Sequence, residues 1–91
     1  MKIRKIIMEE HVAEKIMSKH NLKRIIVREV LCDEVGKSYI ERVGGDQYIA
    51  IGKSHAGYAT VIFTYKSGTA TIKTAYYSTN WQMNLYKKKR N

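Results

Sequence analysis

The chain is poor in the features that stabilise secreted proteins and anchor membrane proteins. Its 91 residues contain a single cysteine, Cys32, so no disulfide can form within the chain. Because Cys32 follows an apolar run ending at Leu31, we expect a half-buried, reduced thiol. Near the N-terminus the apolar segment 6–8 stops at Glu9 and Glu10, too short for a signal peptide or a membrane span. We therefore expect a cytoplasmic protein with no membrane partner.

The sequence also lacks the spacing motifs of metal and nucleotide sites. Its three histidines, His11, His20 and His55, show no close ligand spacing with one another or with Cys32. The glycine-containing turns lack the flanking residues of a phosphate-binding loop. The sequence therefore predicts no metal site and no cofactor.

Negative charge is scarce and unevenly distributed. The chain has 17 Lys+Arg against 8 Asp+Glu, a formal net charge of +9, and no carboxylate side chain follows Asp46. Such an excess favours anionic partners through counterion release and electrostatic steering, so nucleic acid is the expected partner. The half of the chain after Asp46 keeps Lys53, Lys66, Lys73, Lys87, Lys88, Lys89 and Arg90, together with Tyr48, Tyr58, Tyr65, Tyr76, Tyr77, Tyr86 and Trp81.

The N-terminal third has helical periodicity. An apolar stripe predicts an amphipathic helix, with glutamates toward its start and lysines toward its end, as the helix dipole favours. Asn21 follows, where a left-handed cap is expected. The segment 22–32 is ambiguous between strand and helix, and we predict a second helix from its three- and four-residue spacing. The first stripe consists of Val12, Ala13, Ile16, Met17 and His20, and Ile3, Ile6 and Ile7 suit a short strand before it.

The rest of the chain alternates as strands do. Four strand-length runs rich in β-branched and aromatic residues are separated by turn-forming segments, which predicts an antiparallel meander. Ser78 or Thr79 is a suitable cap for a last short helix carrying Trp81, Leu85 and Tyr86. The predicted strands are Ser38–Val43, Gln47–Lys53, Ala59–Tyr65 and Ala70–Tyr76.

These elements predict an α+β fold in which two N-terminal helices pack on one face of a four-stranded antiparallel sheet. A short C-terminal helix completes a single domain over residues 1–91, with residues 87–91 as a frayed basic tail. The opposite face of the sheet is then free to bind a ligand. Strand alternation puts Ile72, Thr74 and Tyr76 on one side of the last strand and Lys73 and Tyr77 on the other, more polar side.

Lysines interleaved with aromatic residues suit single-stranded nucleic acid, because cations meet phosphates while rings stack on unpaired bases. For a single tyrosine, packing within the fold is the simpler interpretation; the whole set indicates a binding surface. His55 lies in a predicted turn beside Lys53 and Tyr58, where an exposed imidazole suits acid–base chemistry as well as it suits a solvated loop.

The order of elements and several short segments resemble the BrnT-like branch of the RelE-type toxins, the ribonucleases of toxin–antitoxin modules. The resemblance runs from about Ile6 to Tyr86 and implies the RelE-like version of the predicted fold. Where the family has arginine after a Thr-Ala or Ser-Ala pair this chain has Tyr76, and its segment 80–83 replaces a charged run. The matching segments are Lys19-His20-Asn21, Val27–Leu31, Tyr48–Lys53, Gly57 and Ile72–Ala75.

The resemblance implies a metal-independent endoribonuclease in which the 2′-hydroxyl of the RNA attacks the adjacent phosphate. Such chemistry needs a base, an acid and cations for the charge developing on the phosphate. His55 or a tyrosine would transfer protons, and Lys53 or Lys73 would hold the phosphate. The residues assigned to catalysis are Lys53, His55, Lys73, Tyr76 and Tyr77, and those assigned to RNA binding are Arg42, Tyr65, Lys66, Trp81, Tyr86, Lys87, Lys88, Lys89 and Arg90.

The resemblance also implies a cognate antitoxin protein as partner, and either a homodimer or a toxin–antitoxin hetero-oligomer as the assembly. Two other interpretations stay open. Because the family's arginine and glutamate positions are not kept, the domain suits a non-catalytic RNA- or DNA-binding module equally well. Its basic surface also suits an interaction protein with an acidic partner.

Overall fold

The computed structural model describes residues 1–90 and contains three helices and five strands. The elements follow the chain as β1 (Lys5–Ile7), α1 (Glu10–His20), α2 (Arg24–Leu31), β2 (Tyr39–Gly44), β3 (Gln47–Ser54), β4 (Gly57–Lys66), β5 (Thr69–Tyr77) and α3 (Asn80–Arg90).

The sheet has five strands and is mixed, so the prediction of a four-stranded antiparallel sheet is wrong. Its order is β1-β5-β4-β3-β2, and β2 to β5 form the expected antiparallel meander. The additional strand β1 pairs with β5 in parallel, with Ile6 opposite Ala70. This pairing joins residues more than 60 positions apart, and local alternation of residue types carries no information about such distant partners.

Backbone hydrogen bonds fix the N-terminal segment against the turn between β4 and β5. The backbone N–H groups of Arg4 and Lys5 both donate to the carbonyl oxygen of Gly68, at 2.7 and 3.1 Å. The Tyr65 hydroxyl donates to the carbonyl of Lys2 at 2.7 Å. Strand β1 is therefore held at its start as well as along its length.

Helices α1 and α2 pack on one face of the sheet, which we call the helix-covered face. The core there joins Ile16 of α1 and Val30 of α2 to buried residues of the central strands. Phe63 and Val61 are fully buried at its centre. The strand residues of this face include Ala50, Ala59, Val61, Phe63, Ile72 and Ala75.

The predicted helices are confirmed. The segment with ambiguous periodicity is α2, whose buried residues Ile26, Val27, Val30 and Leu31 form the apolar stripe. Asn21 ends α1 with φ of 53°, in the left-handed region, and its N–H donates to the carbonyl of Met17. The segment is a helix because, in that conformation, its apolar stripe packs against the buried residues of β3 and β4 on the helix-covered face.

A β-bulge at Lys73 changes the predicted alternation of β5. Ile62 pairs with Thr74 and Phe63 with Ile72, which leaves Lys73 without a partner residue. The extra residue reverses the faces beyond it, so Tyr76 lies opposite Thr60 on the second face, and Tyr77 lies opposite Ala59 on the helix-covered face. The predicted grouping of Lys73 with Tyr77 and of Ile72 with Tyr76 is therefore wrong.

Helix α3 covers part of the sheet's second face, which was predicted to be free. Its side chains Gln82 and Tyr86 are buried against residues of that face, and Ile51 there is fully buried. The predicted frayed tail is instead helical as far as Arg90, while Asn91 lies outside the described residues. The second face includes Tyr39, Ile49, Ile51, Lys53, Tyr58, Thr60, Ile62, Thr74 and Tyr76.

Two smaller features complete the fold. Cys32 is free and exposed, not half-buried as predicted, because the chain turns away from the core directly after Leu31. Partial desolvation still raises the pKa of its thiol. Among residues 1–90, none of the helices is long and apolar enough to span a bilayer.

Candidate functional site

The β3–β4 turn places His55 at one end of the sheet, which we call the hairpin end. The turn is closed by the Ser54 hydroxyl, which donates to the carbonyl of Gly57 at 2.7 Å and accepts from the N–H of Ala56 at 3.1 Å. Gly57 has φ of 119°, a conformation that side chains rarely allow. These hydrogen bonds fix the conformation of the turn, and the His55 ring projects from it.

His55 is held by a carboxylate of helix α2. Its backbone N–H donates to Glu29 Oε1 at 3.0 Å, and its ring Nδ1 lies 2.8 Å from the same oxygen. The Glu29 side chain is only 12% exposed, against 59% for His55. The backbone hydrogen bond from His55, followed by that from its ring, lowers the pKa of Glu29. Glu29 is therefore an ionised acceptor at neutral pH.

This contact fixes which ring nitrogen of His55 faces outward. Because an ionised carboxylate can only accept hydrogen bonds, Nδ1 of the neutral ring carries the proton and Nε2 carries the lone pair. Within residues 1–90, Nε2 has no hydrogen-bond partner. The arrangement is that of an exposed imidazole, suited to act as a general base, whose ring is oriented by a partly buried carboxylate.

Lys53 provides positive charge at the same turn. Only Ser54 separates Lys53 from His55, so their Cα atoms lie within about 7 Å of each other. The Lys53 ammonium lies 5.9 Å from the centre of the Tyr58 ring, within cation–π range. Tyr58 packs edge-on against Tyr86 of α3, with 5.4 Å between ring centres, and the Tyr86 hydroxyl donates to the carbonyl of Lys37 at 2.8 Å.

A hydrogen-bond network attaches the start of α3 to the hairpin end. The side-chain oxygen of Gln82 accepts from the Thr60 hydroxyl and the Thr79 N–H, both at 3.0 Å, and its amide donates to the Tyr76 hydroxyl at 2.8 Å. The Gln82 N–H in turn donates to the Thr79 hydroxyl at 3.3 Å, which makes Thr79 and Gln82 a capping box. Thr79, one of the two predicted caps, thus begins the helix.

Of the residues predicted to be catalytic, four lie at the hairpin end and one does not. Lys53 and His55 flank the β3–β4 turn, and Tyr76 and Tyr77 end the neighbouring strand β5. The Tyr76 hydroxyl is occupied by Gln82, whereas Tyr77 is 39% exposed. Lys73 is exposed at the bulge, about 13 Å back along β5 from Tyr77. The fold does not bring Lys73 to the other four.

The predicted RNA-binding residues divide between the two ends of the sheet. Arg42, Tyr65 and Lys66 lie at the end opposite His55, where Arg42 donates to the carbonyl of Gly45. The tyrosines likewise lie on both faces and do not form one open platform. The predicted RNA-binding residues at the hairpin end belong to α3, and they are Trp81, Tyr86, Lys87, Lys88, Lys89 and Arg90.

Glu29 is the site residue that the sequence did not reveal. It lies 26 positions from His55 and belongs to a helix whose identity was itself ambiguous. A charged residue such as Glu29 beside an apolar stripe is typical of any amphipathic helix, so no local pattern distinguishes it. Residues 1–90 place no three His, Cys, Asp or Glu side chains together as metal ligands.

Comparison with known proteins leaves the family open. No protein-family model matches the chain, and no curated protein matches it either.

Proposed function

We propose that the protein is a metal-independent endoribonuclease whose catalytic group is the Glu29–His55 pair at the hairpin end. The observation that carries the proposal is the geometry of that pair. A partly buried carboxylate holds the imidazole through Nδ1 and through the backbone N–H, and Nε2 points to solvent. A base held in this way is what the activation of a ribose 2′-hydroxyl requires.

In the proposed reaction, His55 Nε2 removes the proton of a ribose 2′-hydroxyl, and the 2′-oxygen attacks the adjacent phosphorus. The bond from phosphorus to the 5′-oxygen breaks, which yields a 2′,3′-cyclic phosphate and a 5′-hydroxyl that takes its proton from water. Lys53, two positions before His55 in the chain, is the cation that we assign to the negative charge developing on the phosphate. Glu29 keeps the ring in the required tautomer and orientation.

The charge distribution supports RNA as the substrate. The net charge is +9, and neither α3 nor any other part of the chain after Asp46 contains a carboxylate side chain. The four basic residues of the last turn of α3 directly follow Tyr86, which packs against Tyr58 beside Lys53. These residues and Lys53 are the cations that we expect the phosphate backbone to meet at the hairpin end.

The biological role that we propose is that of a BrnT-like toxin neutralised by a cognate antitoxin. The resemblance of the short segments from Lys19-His20-Asn21 to Ile72–Ala75 supports this role. Expression of the wild-type protein is then expected to stop growth and to leave cleaved transcripts. Co-expression of the product of a neighbouring gene is expected to restore growth.

The second candidate function is binding of RNA or DNA without cleavage. It is favoured by the position of Lys73, which the fold leaves about 13 Å along β5 from Tyr77, so that one of the residues assigned to catalysis is not at the hairpin end. In the proposed reaction no side chain is assigned as the acid, and water protonates the leaving oxygen. A slow nuclease and an inactive binding module both bind RNA, and they differ only in whether the bond to the 5′-oxygen breaks.

The two functions separate in an experiment with matched oligonucleotides. The purified protein is incubated in EDTA with a labelled single-stranded RNA and with the same sequence carrying 2′-O-methyl groups. We expect both to bind and only the RNA to be cleaved, with 2′,3′-cyclic phosphate ends. Binding of both without cleavage would support the second candidate. Cleavage of the 2′-O-methyl strand, or dependence on a divalent metal, would contradict the proposed chemistry.

A further inference from the structure

Trp81 is a large apolar side chain that the fold does not use. It is the only tryptophan of the chain and is 68% exposed, more than any other large hydrophobic residue among residues 1–90. Burial of an indole ring is among the most favourable contributions a side chain makes to folding, so an exposed one is costly to leave in water. The attachment of α3 depends instead on Gln82 and Tyr86, which are buried.

Trp81 shares the exposed side of α3 with residues suited to nucleic acid. Asn84 lies three residues after Trp81 and Lys88 four residues after Asn84, and both are exposed, whereas Gln82 and Tyr86 face the sheet. Lys88 lies about 10 Å beyond Trp81 along the helix axis, roughly the length of three stacked nucleotides. The helix contains no acidic residue that would repel a phosphate.

We infer that the substrate is single-stranded and that one of its unpaired bases stacks on the indole of Trp81 while its backbone follows α3 toward Lys88. This inference rests on the proposed function and names the substrate class for the same site. A duplex does not satisfy this arrangement, because its bases are already stacked on one another and their faces are inaccessible. A strand lying along α3 leads toward Tyr86, which packs on Tyr58 beside the catalytic turn.

The single tryptophan makes the contact directly measurable, because all indole fluorescence comes from Trp81. The probe is a 12-nucleotide 2′-O-methyl uridine strand, which cannot be cleaved by 2′-hydroxyl attack. We expect this strand to quench the emission of the wild-type protein, and a self-complementary 2′-O-methyl duplex of equal length to leave it unchanged. Anisotropy of a fluorescein-labelled copy of the strand measures binding independently.

Substitutions separate stacking from general charge. Trp81→Ala is expected to weaken binding of the strand roughly 5- to 150-fold, the factor corresponding to one lost base–aromatic stack. Trp81→Tyr retains an aromatic face and is expected to stay within about threefold of wild type. The matched control is Val43→Ala, which truncates a side chain that is 51% exposed on β2. We expect this control to bind as wild type does.

These measurements separate failure of the stacking inference from failure of the proposed function. The stacking inference is wrong, and the proposed function stands, if the labelled strand binds wild type and Trp81→Ala equally tightly and does not quench the wild-type emission. If neither single strand nor RNA binds at all, the proposed function fails and the inference fails with it. Emission that changes with protein concentration but not with the strand would place Trp81 in a contact between copies, and would also overturn the inference.

Discussion

Replacement of Gln82 by alanine is expected to detach α3 from the sheet. The Gln82 side chain is 6% exposed and makes hydrogen bonds to Thr60, Tyr76 and the N–H of Thr79. A net contribution of about 1 kcal/mol for each bond gives a loss of roughly 2–3 kcal/mol in the free energy of unfolding. For a domain of this size, such a loss corresponds to a fall in Tm of roughly 10–20 °C.

The assay is urea unfolding followed by far-UV circular dichroism. Gln47→Ala is the matched control, because Gln47 is the other glutamine of the chain and is exposed at the start of β3. We expect the control to stay within about 0.5 kcal/mol of wild type. Gln82→Met keeps the side-chain volume and removes only the hydrogen bonds, so it should lose nearly as much as Gln82→Ala. A loss below about 0.5 kcal/mol in both Gln82 variants would refute the proposed attachment of α3.

Three further predictions follow from the same contacts. Gly52→Ala places a Cβ that overlaps Ser38 Oγ and lies 3.3 Å from Val30 Cγ1, so urea unfolding should show a loss of about 1–3 kcal/mol; unchanged stability would contradict this packing. Because folding lowers the pKa of Glu29, its contribution to stability is fully present above the ordinary carboxyl range and decreases as the pH falls below that range; Glu29→Gln should therefore be less stable than wild type at pH 7, with a difference that shrinks as the solution is made acidic, and equal stability at pH 7 would contradict the Glu29–His55 contact. Lys53→Ala should reduce the slope of log binding constant for RNA against log salt by about 1, whereas Lys66→Ala, at the opposite end of the sheet, should leave the slope unchanged; the reverse result would place the RNA at the other end.

The meander and the helices were predictable because their signals are local. Alternating β-branched residues between glycine-containing turns define β2 to β5 to within about two residues of each end. The apolar stripe of α1 ends at Asn21, whose tolerance of left-handed backbone marks the helix end. These features depend on neighbours in the chain, and residue patterns describe such neighbours directly.

The errors arise where distant residues meet. Strand β1 was suggested by its isoleucines, but it pairs with β5, more than 60 positions away, and no local pattern shows that it joins the sheet. The bulge at Lys73 exchanges the faces of Tyr76 and Tyr77, because one unpaired residue shifts a period-two alternation. A similar limit applies to the site, where His55 was identifiable and its partner Glu29 was not.

The cleavage of single-stranded RNA by wild type and by His55→Ala, measured in EDTA under single-turnover conditions, tests the central claim most directly. Loss of the base is expected to slow cleavage roughly 10²- to 10⁴-fold while binding stays unchanged, since the ring is exposed and has no other partner than Glu29. His11→Ala, which removes an exposed histidine at the start of α1, is the control and should cleave at the wild-type rate. Equal cleavage by His55→Ala and wild type would contradict the account.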